Sequence, residues 1–305
     1  MAKRDFITVR TYTPAEVRKL IDDAIDIKSH PEKYADTLKG KALAMIFEKP
    51  SLRTRVTFNV GIHQLGGFAI YLSPAEINLG KRESVADVAR NLERMVQGVM
   101  ARTFSHKVVE ELAEHAHIPV INGLTDYNHP CQAMADYMTL LEIKKKFAGM
   151  KLAYVGDGNN VAVSLIHTAA RLGVHLAVAT PPGYEPNPEV VQWGRTQGAV
   201  TGCTIDLTHD PLAAVKGADA IYTDVWTSMG QEAESATRLK IFRPYQVNEE
   251  LFAHARPDAI FLHCLPAHRG EEVTDGVMES PRSVVFQQAE NRLHAQKAIM
   301  LNLMR

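Results

Sequence analysis

An α/β protein with two doubly wound parallel-sheet domains is what this sequence predicts, and three observations predict it. Short apolar runs alternate with amphipathic stretches at helical spacing, the pattern of parallel strands joined by crossover helices. The rhythm runs as far as Gly149 and restarts at Lys151. The chain has 305 residues, enough for two domains at roughly 150 residues each.

The elements follow in order. A capping box opens the first helix, with Thr13 at the cap, Pro14 in the first turn and Glu16 three residues on. Val17, Leu20, Ile21, Ala24 and Ile25 then keep helical spacing. The run Ala42–Phe47, bounded by Gly40 and Pro50, is too short for a helix and reads as a buried strand. A helix over about 51–66 and a strand at Phe68–Leu72 come next. Ser84 and Asp87 cap a helix whose apolar face is Val85, Val88, Leu92, Met95 and Val96, ended by Gly98. A strand at 99–103, a helix at 107–117 and a strand at 118–122 follow, and Pro130 opens a long helix. In the second half, strands are expected at Lys151–Val155, 174–179, 218–224 and 259–262. Helices are expected at Asn160–Leu172, from about Glu189, at 211–216 and at Glu290–Arg305. The domain boundary is placed in the 147–150 hinge, giving domains 1–147 and 148–289.

Composition narrows the function. Lys plus Arg total 34 against 35 for Asp plus Glu, a net charge of −1, so nothing global attracts nucleic acid or an anionic membrane. No apolar run approaches the roughly 18 residues of a membrane helix, and no signal peptide is expected. Cys131, Cys203 and Cys264 form no CxxC pair, so a disulfide framework and a zinc ribbon are not expected, and the protein reads as cytoplasmic. The 13 histidines include no H-E-x-x-H. His115 and His117 are read as two apart in one helix, facing apart, and no metal is expected.

Polar and reactive groups collect where predicted strands end, which is where open parallel sheets bind ligands. After Ala42–Phe47 comes Ser51-Leu52-Arg53-Thr54-Arg55. Hydroxyls and backbone N–H groups at a helix start, with two guanidinium forks, make an anion site. Arg102 ends another strand. His129 and Gln132 lie three apart at a helix start, where an imidazole and an amide suit a carbonyl group. Gly156-Asp157-Gly158-Asn159-Asn160 lacks the third glycine of a dinucleotide loop, and its asparagines read better as ligands for an amino-acid head group. Asp224 to Gly230 and His263-Cys264-Leu265-Pro266 follow later strands. Cys264, in an apolar context, reads as packing rather than as a nucleophile.

These motifs together resemble the aspartate/ornithine carbamoyltransferase superfamily. Ser51-Leu52-Arg53-Thr54-Arg55 and His129-Pro130-Cys131-Gln132 are similar to its two shared signatures. Asp224-Val225-Trp226-Thr227-Ser228-Met229-Gly230 and His263-Cys264-Leu265-Pro266-Ala267 resemble its ornithine branch, and the resemblance runs to Gln288-Ala289-Glu290-Asn291-Arg292. It implies transfer of a carbamoyl group from carbamoyl phosphate to the δ-amine of L-ornithine, without metal or organic cofactor. It also implies a homotrimer with active sites shared between chains, joining helices between the domains, and a carboxyl-terminal helix that returns to the first domain. By motif, Ser51, Leu52, Arg53 and Thr54 would bind the phosphate, Arg102 would bridge phosphate and carbonyl, and His129 and Gln132 would hold the carbamoyl end. Asn78, where many relatives have glutamine, would reach a neighbour's carbamoyl phosphate. Asn160, Asp224, Ser228 and the Met229 backbone would grip ornithine, with Cys264, Leu265 and Arg292 lining the reacting centre. Two alternatives stay open: a carbamoyltransferase for another amine such as putrescine, and a catalytically inert binding module on the same fold.

Overall fold

The computed structural model describes residues 3–305, which form two compact units: 3–138 together with Glu290–Arg305, and Thr139–Ala289. The first holds a parallel sheet of β1 (Ala42–Phe47), β2 (Phe68–Leu72), β3 (Gly98–Arg102) and β4 (Val120–Leu124), in the order β2-β1-β3-β4. Every β1 residue is buried, as a central strand covered on both faces requires. Strand order reverses between β1 and β3, so a ligand crevice is expected beyond their carboxyl ends, where Ser51 and Arg102 lie. The ladder between β3 and β4 is irregular: Ala101 pairs with Asn122 but Arg102 with Leu124, leaving Gly123 as the extra residue. A Cβ on Gly123 would come within 2.6 Å of Met100 Sδ. The end of the last helix, Val285–Met304, belongs to this unit. Met304 closes over Gly98 so tightly that a Cβ there would meet its sulfur at 2.9 Å.

The second unit holds β5 (Lys151–Val155), β6 (His175–Ala179), β7 (Ile205–Thr208), β8 (Ala220–Thr223) and β9 (Ile260–His263), all parallel, in the order β7-β6-β5-β8-β9. Its reversal lies between β5 and β8, so Gly156–Asn160 and Asp224 stand at the second switch point. Among the described residues, no helix is long and apolar enough to cross a membrane.

Local details depart from the sequence reading for identifiable reasons. The helix expected to reach Gly98 is Val85–Leu92, and Gly98 itself opens β3. Glu93 leaves the helix to accept from the His117 N–H at 2.6 Å, and Met95, read as an apolar face, is exposed. His117 is therefore outside the helix, which is His106–His115. The strand expected at 118–122 lies at Val120–Leu124, because Pro119 has no N–H to pair and offers only its carbonyl, to Val99. The last helix starts five residues before Glu290, at Val285. Ile205–Thr208 went unread because it is an edge strand with only Ile205 buried. The Ser235–Phe242 helix is not among the expected elements, because with only Arg238 and Phe242 buried it shows no apolar period.

The Gly156–Gly158 turn illustrates a glycine kept by packing. Gly158 donates to the Tyr184 carbonyl at 2.9 Å. A Cβ there would lie 2.3 Å from Pro186 N and 2.5 Å from the Tyr184 oxygen. The backbone of another segment, not a phosphate, occupies the space. Gly158→Ala is expected to destabilise the protein by about 1–3 kcal/mol or more. Urea unfolding followed by circular dichroism checks this, and an unchanged midpoint contradicts it.

Candidate active site

In the first unit the site is built on a helix start and two strand ends. Ser51 has extended backbone and caps the helix Leu52–Gln64 by accepting from the Thr54 N–H at 3.1 Å. That leaves the earlier N–H groups of the first turn, including those of Leu52 and Arg53, at the positive end of the dipole. The Leu52 side chain is exposed, so only its backbone is placed to matter.

Thr54 is the centre of a buried network. Its hydroxyl oxygen accepts from Arg102 at 3.4 Å and from Arg292 at 3.3 Å. Arg292 also donates to Gln132 Oε1 at 2.6 Å, and Gln132 Nε2 donates to Asp136 at 2.8 Å. A guanidinium only donates and the carboxylate here only accepts, so the amide of Gln132 can face only one way. Arg102, Arg292, Gln132, Thr54 and Asp136 are all buried.

His129 belongs to the same cluster. Its carbonyl starts the helix Pro130–Lys144, accepting from Gln132 N–H at 3.1 Å. Burial, then the guanidinium charges of Arg292, Arg102 and Arg53, hold its imidazole well below the usual histidine range. The ring is neutral at pH 7 and suited to donating one hydrogen bond to a carbonyl oxygen. Arg53, read from sequence as an anion ligand, thus lies within electrostatic reach of His129. Arg55, read with it as a second fork, does not join: it is exposed, and its guanidinium carbon sits 3.9 Å from the Tyr71 ring centroid. Two residues along a helix is about 200° of rotation, so the two arginines cannot share a face. Asn78 ends the short helix Pro74–Ile77 with φ 41°. With Phe47, Glu48, Lys81 and Phe104 it lines a cavity of about 350 Å³.

The second unit holds a complementary set. Asp224, beyond β8, accepts from Cys264 Sγ at 2.9 Å and from Asn159 Nδ2 at 2.8 Å. Cys264 is therefore hydrogen-bonded to a buried carboxylate, which corrects its reading as a packing residue. Asn159 also caps the helix Asn160–Leu172 through Oδ1, so the helix fixes its amide and the amide fixes Asp224. Asn160 is the first residue of that helix and half-buried. Ser228 is half-buried, its N–H donating to Gln231 Oε1 at 3.1 Å, and Met229 beside it is exposed. Leu265 has a positive φ of 58°, unusual for a branched side chain. Its N–H donates to His263 Nδ1 at 2.8 Å, so the His263 proton sits on Nε2, toward Glu272 at 3.0 Å. Arg238 braces the loop after β8, donating to the Trp226 carbonyl at 2.5 Å and to Asp157. Burial pushes Asp157 up to about 6, although the Arg238 charge pulls the other way.

Donor atoms of Asp224, His263 and Cys264 lie within 4.8 Å of one another, as do those of His268, Glu271 and Glu272. Both His263 nitrogens and both Asp224 oxygens are already engaged within the protein, so the first group reads as a hydrogen-bond network. Asp136, Glu272 and Arg238 were not singled out from sequence, and Asn159 was read with Asn160 only as a ligand for an amino-acid head group, not as the brace of Asp224. Only Asp136 had a readable signal, four residues after Gln132 on the same helix face.

Comparison with known proteins follows the same division. Residues 4–142 match the family model "Aspartate/ornithine carbamoyltransferase, carbamoyl-P binding domain", and residues 148–303 match "Aspartate/ornithine carbamoyltransferase, Asp/Orn binding domain". A protein of Thermococcus kodakarensis named ornithine carbamoyltransferase is 56% identical over 306 residues, covering 100% of this chain and 97% of that one. One of Geobacillus stearothermophilus with the same name is 57% identical over 303 residues, covering 99% and 97%. The solved structure of ornithine carbamoyltransferase from Pyrococcus furiosus matches with a TM-score of 0.96 at 54% identity, over 99% of this chain and 97% of that chain.

The depressed His129 makes stability fall with acid. An unfolded histidine takes up a proton below about pH 6.5, while the folded, buried ring does not, so the unfolded state gains protons and stability drops as pH falls through that value. His106 and His294 shift the same way, so the difference between wild type and His129→Gln isolates the effect. Urea midpoints at about pH 7.5 and 5.5 should fall less in His129→Gln than in wild type; equal falls contradict a neutral His129.

Proposed function

The chain belongs to the aspartate/ornithine carbamoyltransferase family, and from that premise we propose how its residues carry the reaction. It transfers the carbamoyl group of carbamoyl phosphate to the δ-amine of L-ornithine, giving L-citrulline and phosphate. One observation carries the assignment of roles: Arg53, Arg102 and Arg292 bear on a neutral, buried His129.

The transferred carbonyl carbon passes through a tetrahedral state whose oxygen becomes negative, and a phosphate leaves with growing charge. The Leu52 and Arg53 N–H groups, the Ser51 hydroxyl and the guanidiniums of Arg53 and Arg102 receive the phosphate. His129 donates to the carbonyl oxygen. A ring already neutral can do this without first losing a proton, and preorganised donors at a developing oxyanion are worth about 2.7–4 kcal/mol each. Gln132, held between Arg292 and Asp136, has one amide hydrogen left for the carbamoyl end. Arg292 therefore acts chiefly by bracing Gln132 and Thr54.

Ornithine's α-amino group suits the Asp224 carboxylate, and its α-carboxylate suits Asn160, Ser228 and the Met229 N–H. The attacking δ-amine must be neutral, although a free alkyl ammonium has a pKa of about 10.4. Cys264 and the Leu265 carbonyl offer that nitrogen hydrogen-bond acceptors. Alignment of nitrogen and carbonyl carbon within roughly 3–3.5 Å supplies much of the remaining rate. None of the described cysteines is in a disulfide, which suits a cytoplasmic setting.

Assembly as a homotrimer is supported by an unusual surface. Leu52, Val56 and Val60 recur every fourth residue on one helix face and are 73%, 48% and 38% exposed. On the edge strand β2, Phe68 and Ile70 are 51% and 41% exposed. Apolar groups so spaced beside an open sheet edge belong under another copy of the chain.

A citrulline assay tests the reading. Wild type should carbamoylate ornithine to citrulline and leave putrescine without a ureido product, both read by the ureido colour reaction, and Arg53→Ala should lower kcat/KM by at least about 100-fold; carbamoylation of putrescine, or near-normal kinetics in Arg53→Ala, contradicts it. For assembly, native mass spectrometry should record trimers for wild type and smaller species for Phe68→Asp, with citrulline formation lost alongside. A fully active Phe68→Asp monomer would mean each chain builds its site alone.

A further inference from the structure

His129 sits at the end of a turn whose anchors lie elsewhere in the chain. Residues 125–128 form that turn. The Thr125 N–H donates to the Asn128 carbonyl at 3.0 Å, and the Asn128 N–H donates back to Thr125 Oγ1 at 3.3 Å. The Asn128 side chain then ties the turn to two other segments. Its Oδ1 accepts from Asn122 Nδ2 at 2.5 Å, and its Nδ2 donates to the Ile7 carbonyl at 3.2 Å. Asn122 Nδ2 donates to the same Ile7 carbonyl at 3.1 Å. Beyond His129, Cys131 Sγ donates to the Asn122 carbonyl at 3.3 Å. Asn122, Thr125, Asn128 and Cys131 are wholly buried.

The Ile7 carbonyl is itself rigidly placed. Phe6 pairs in parallel with Ile121, donating to the Val120 carbonyl at 2.9 Å and accepting from the Asn122 N–H at 2.9 Å. Asp5 Oδ1 accepts from the Val120 N–H at 2.8 Å. Phe6 packs edge-on against Tyr12, ring centroids 5.2 Å apart, and Tyr12 donates back to the Asp5 carbonyl at 2.9 Å. Asp5–Ile7 thus lies against the β4 edge of the sheet through one isolated bridge, and the Ile7 carbonyl is offered to two asparagine amides beside the site.

We propose that Asn128 is a positioning residue for His129, acting with Asn122 through the backbone carbonyl of Ile7. This rests on the reading that His129 holds the carbamoyl oxygen. Two asparagines sharing one carbonyl have a single compatible arrangement, because each amide has a fixed donor and acceptor end and turning either would set like ends against each other. That arrangement sets the backbone immediately before His129, and the thiol of Cys131 sets it two residues after. A hydrogen-bond donor aimed at a developing charge loses its value when displaced by about 1 Å, which can cost 10²-fold. Phosphate binding, made by the other helix start and by Arg53 and Arg102, does not pass through this turn.

The test compares Asn128→Ala and Asn128→Asp with wild type and with His129→Ala. Asn128→Asp keeps the acceptor for Asn122 but replaces the donor to Ile7 by a second acceptor. The expected result is a kcat for citrulline formation lowered by about 10- to 100-fold in both variants. Calorimetric affinity for inorganic phosphate should stay within about twofold, and the ornithine KM should be little changed. Circular dichroism melts measure the folded fraction, and rates are referred to it, so a merely structural role would lower stability without lowering kcat per folded site. A kcat per folded site equal to wild type in Asn128→Ala overturns the proposal, as does phosphate affinity falling in proportion to kcat. If wild type makes no citrulline, the functional reading fails. If wild type is active, His129→Ala is impaired and Asn128→Ala is not, only the positioning role fails.

Discussion

Burying positive charge is costly, and in the first unit a cluster of buried guanidiniums organises what surrounds it. Arg102 and Arg292 are both buried and both donate to the hydroxyl of Thr54, and Arg292 is linked to the Asp136 carboxylate through the amide of Gln132. Two buried cations that share a neutral acceptor repel, and taking each out of water costs several kcal/mol. A phosphate group at the start of Leu52–Gln64 meets these guanidiniums with opposite charge. The same field keeps His129 neutral, and a neutral imidazole is the form that can donate to a carbonyl oxygen without competing with the arginines for the anion.

Topology explains why these groups meet. In both units the strand order reverses once, between β1 and β3 and between β5 and β8, and each reversal leaves a gap where two loops diverge. The first gap gathers Ser51, Arg53 and Arg102, and the second gathers Asn159 and Asp224. One unit is thereby suited to an anion and the other, through Asp224 with Cys264, to an amine. A binding module would need neither the buried arginine cluster nor the Asp224 carboxylate with its cysteine.

Much of this was legible in the sequence, because strand ends are punctuated by polar residues against apolar runs. Ser51, Arg53, Thr54, Arg102, His129 and Gln132 all lie in the first unit, and contacts or charge effects tie them to the Thr54–His129 cluster, Ser51 through the Thr54 N–H. What escaped was the bracing. Asn159 reads from sequence as one of two equivalent asparagines, yet its helix cap alone determines that it, and not Asn160, holds Asp224. Glu272 is nine residues from His263 and Arg238 is 81 from Asp157, separations at which no periodic pattern operates. Arg55 was misread for the opposite reason: the motif groups it with Arg53, but the helix turns it toward Tyr71. Edge strand Ile205–Thr208 was missed because it alternates too briefly to stand out.

Buried guanidiniums held for an anion imply that removing one charge separates stability from binding. Arg102→Met keeps bulk while deleting a buried cation. Thermal unfolding with and without about 10 mM inorganic phosphate reads both quantities, since a ligand that binds only the folded state raises its stability by RT ln(1 + [L]/Kd). The account predicts that Arg102→Met melts no lower than wild type without phosphate and loses the phosphate-induced rise. A variant that melts well below wild type but keeps the full rise would contradict it.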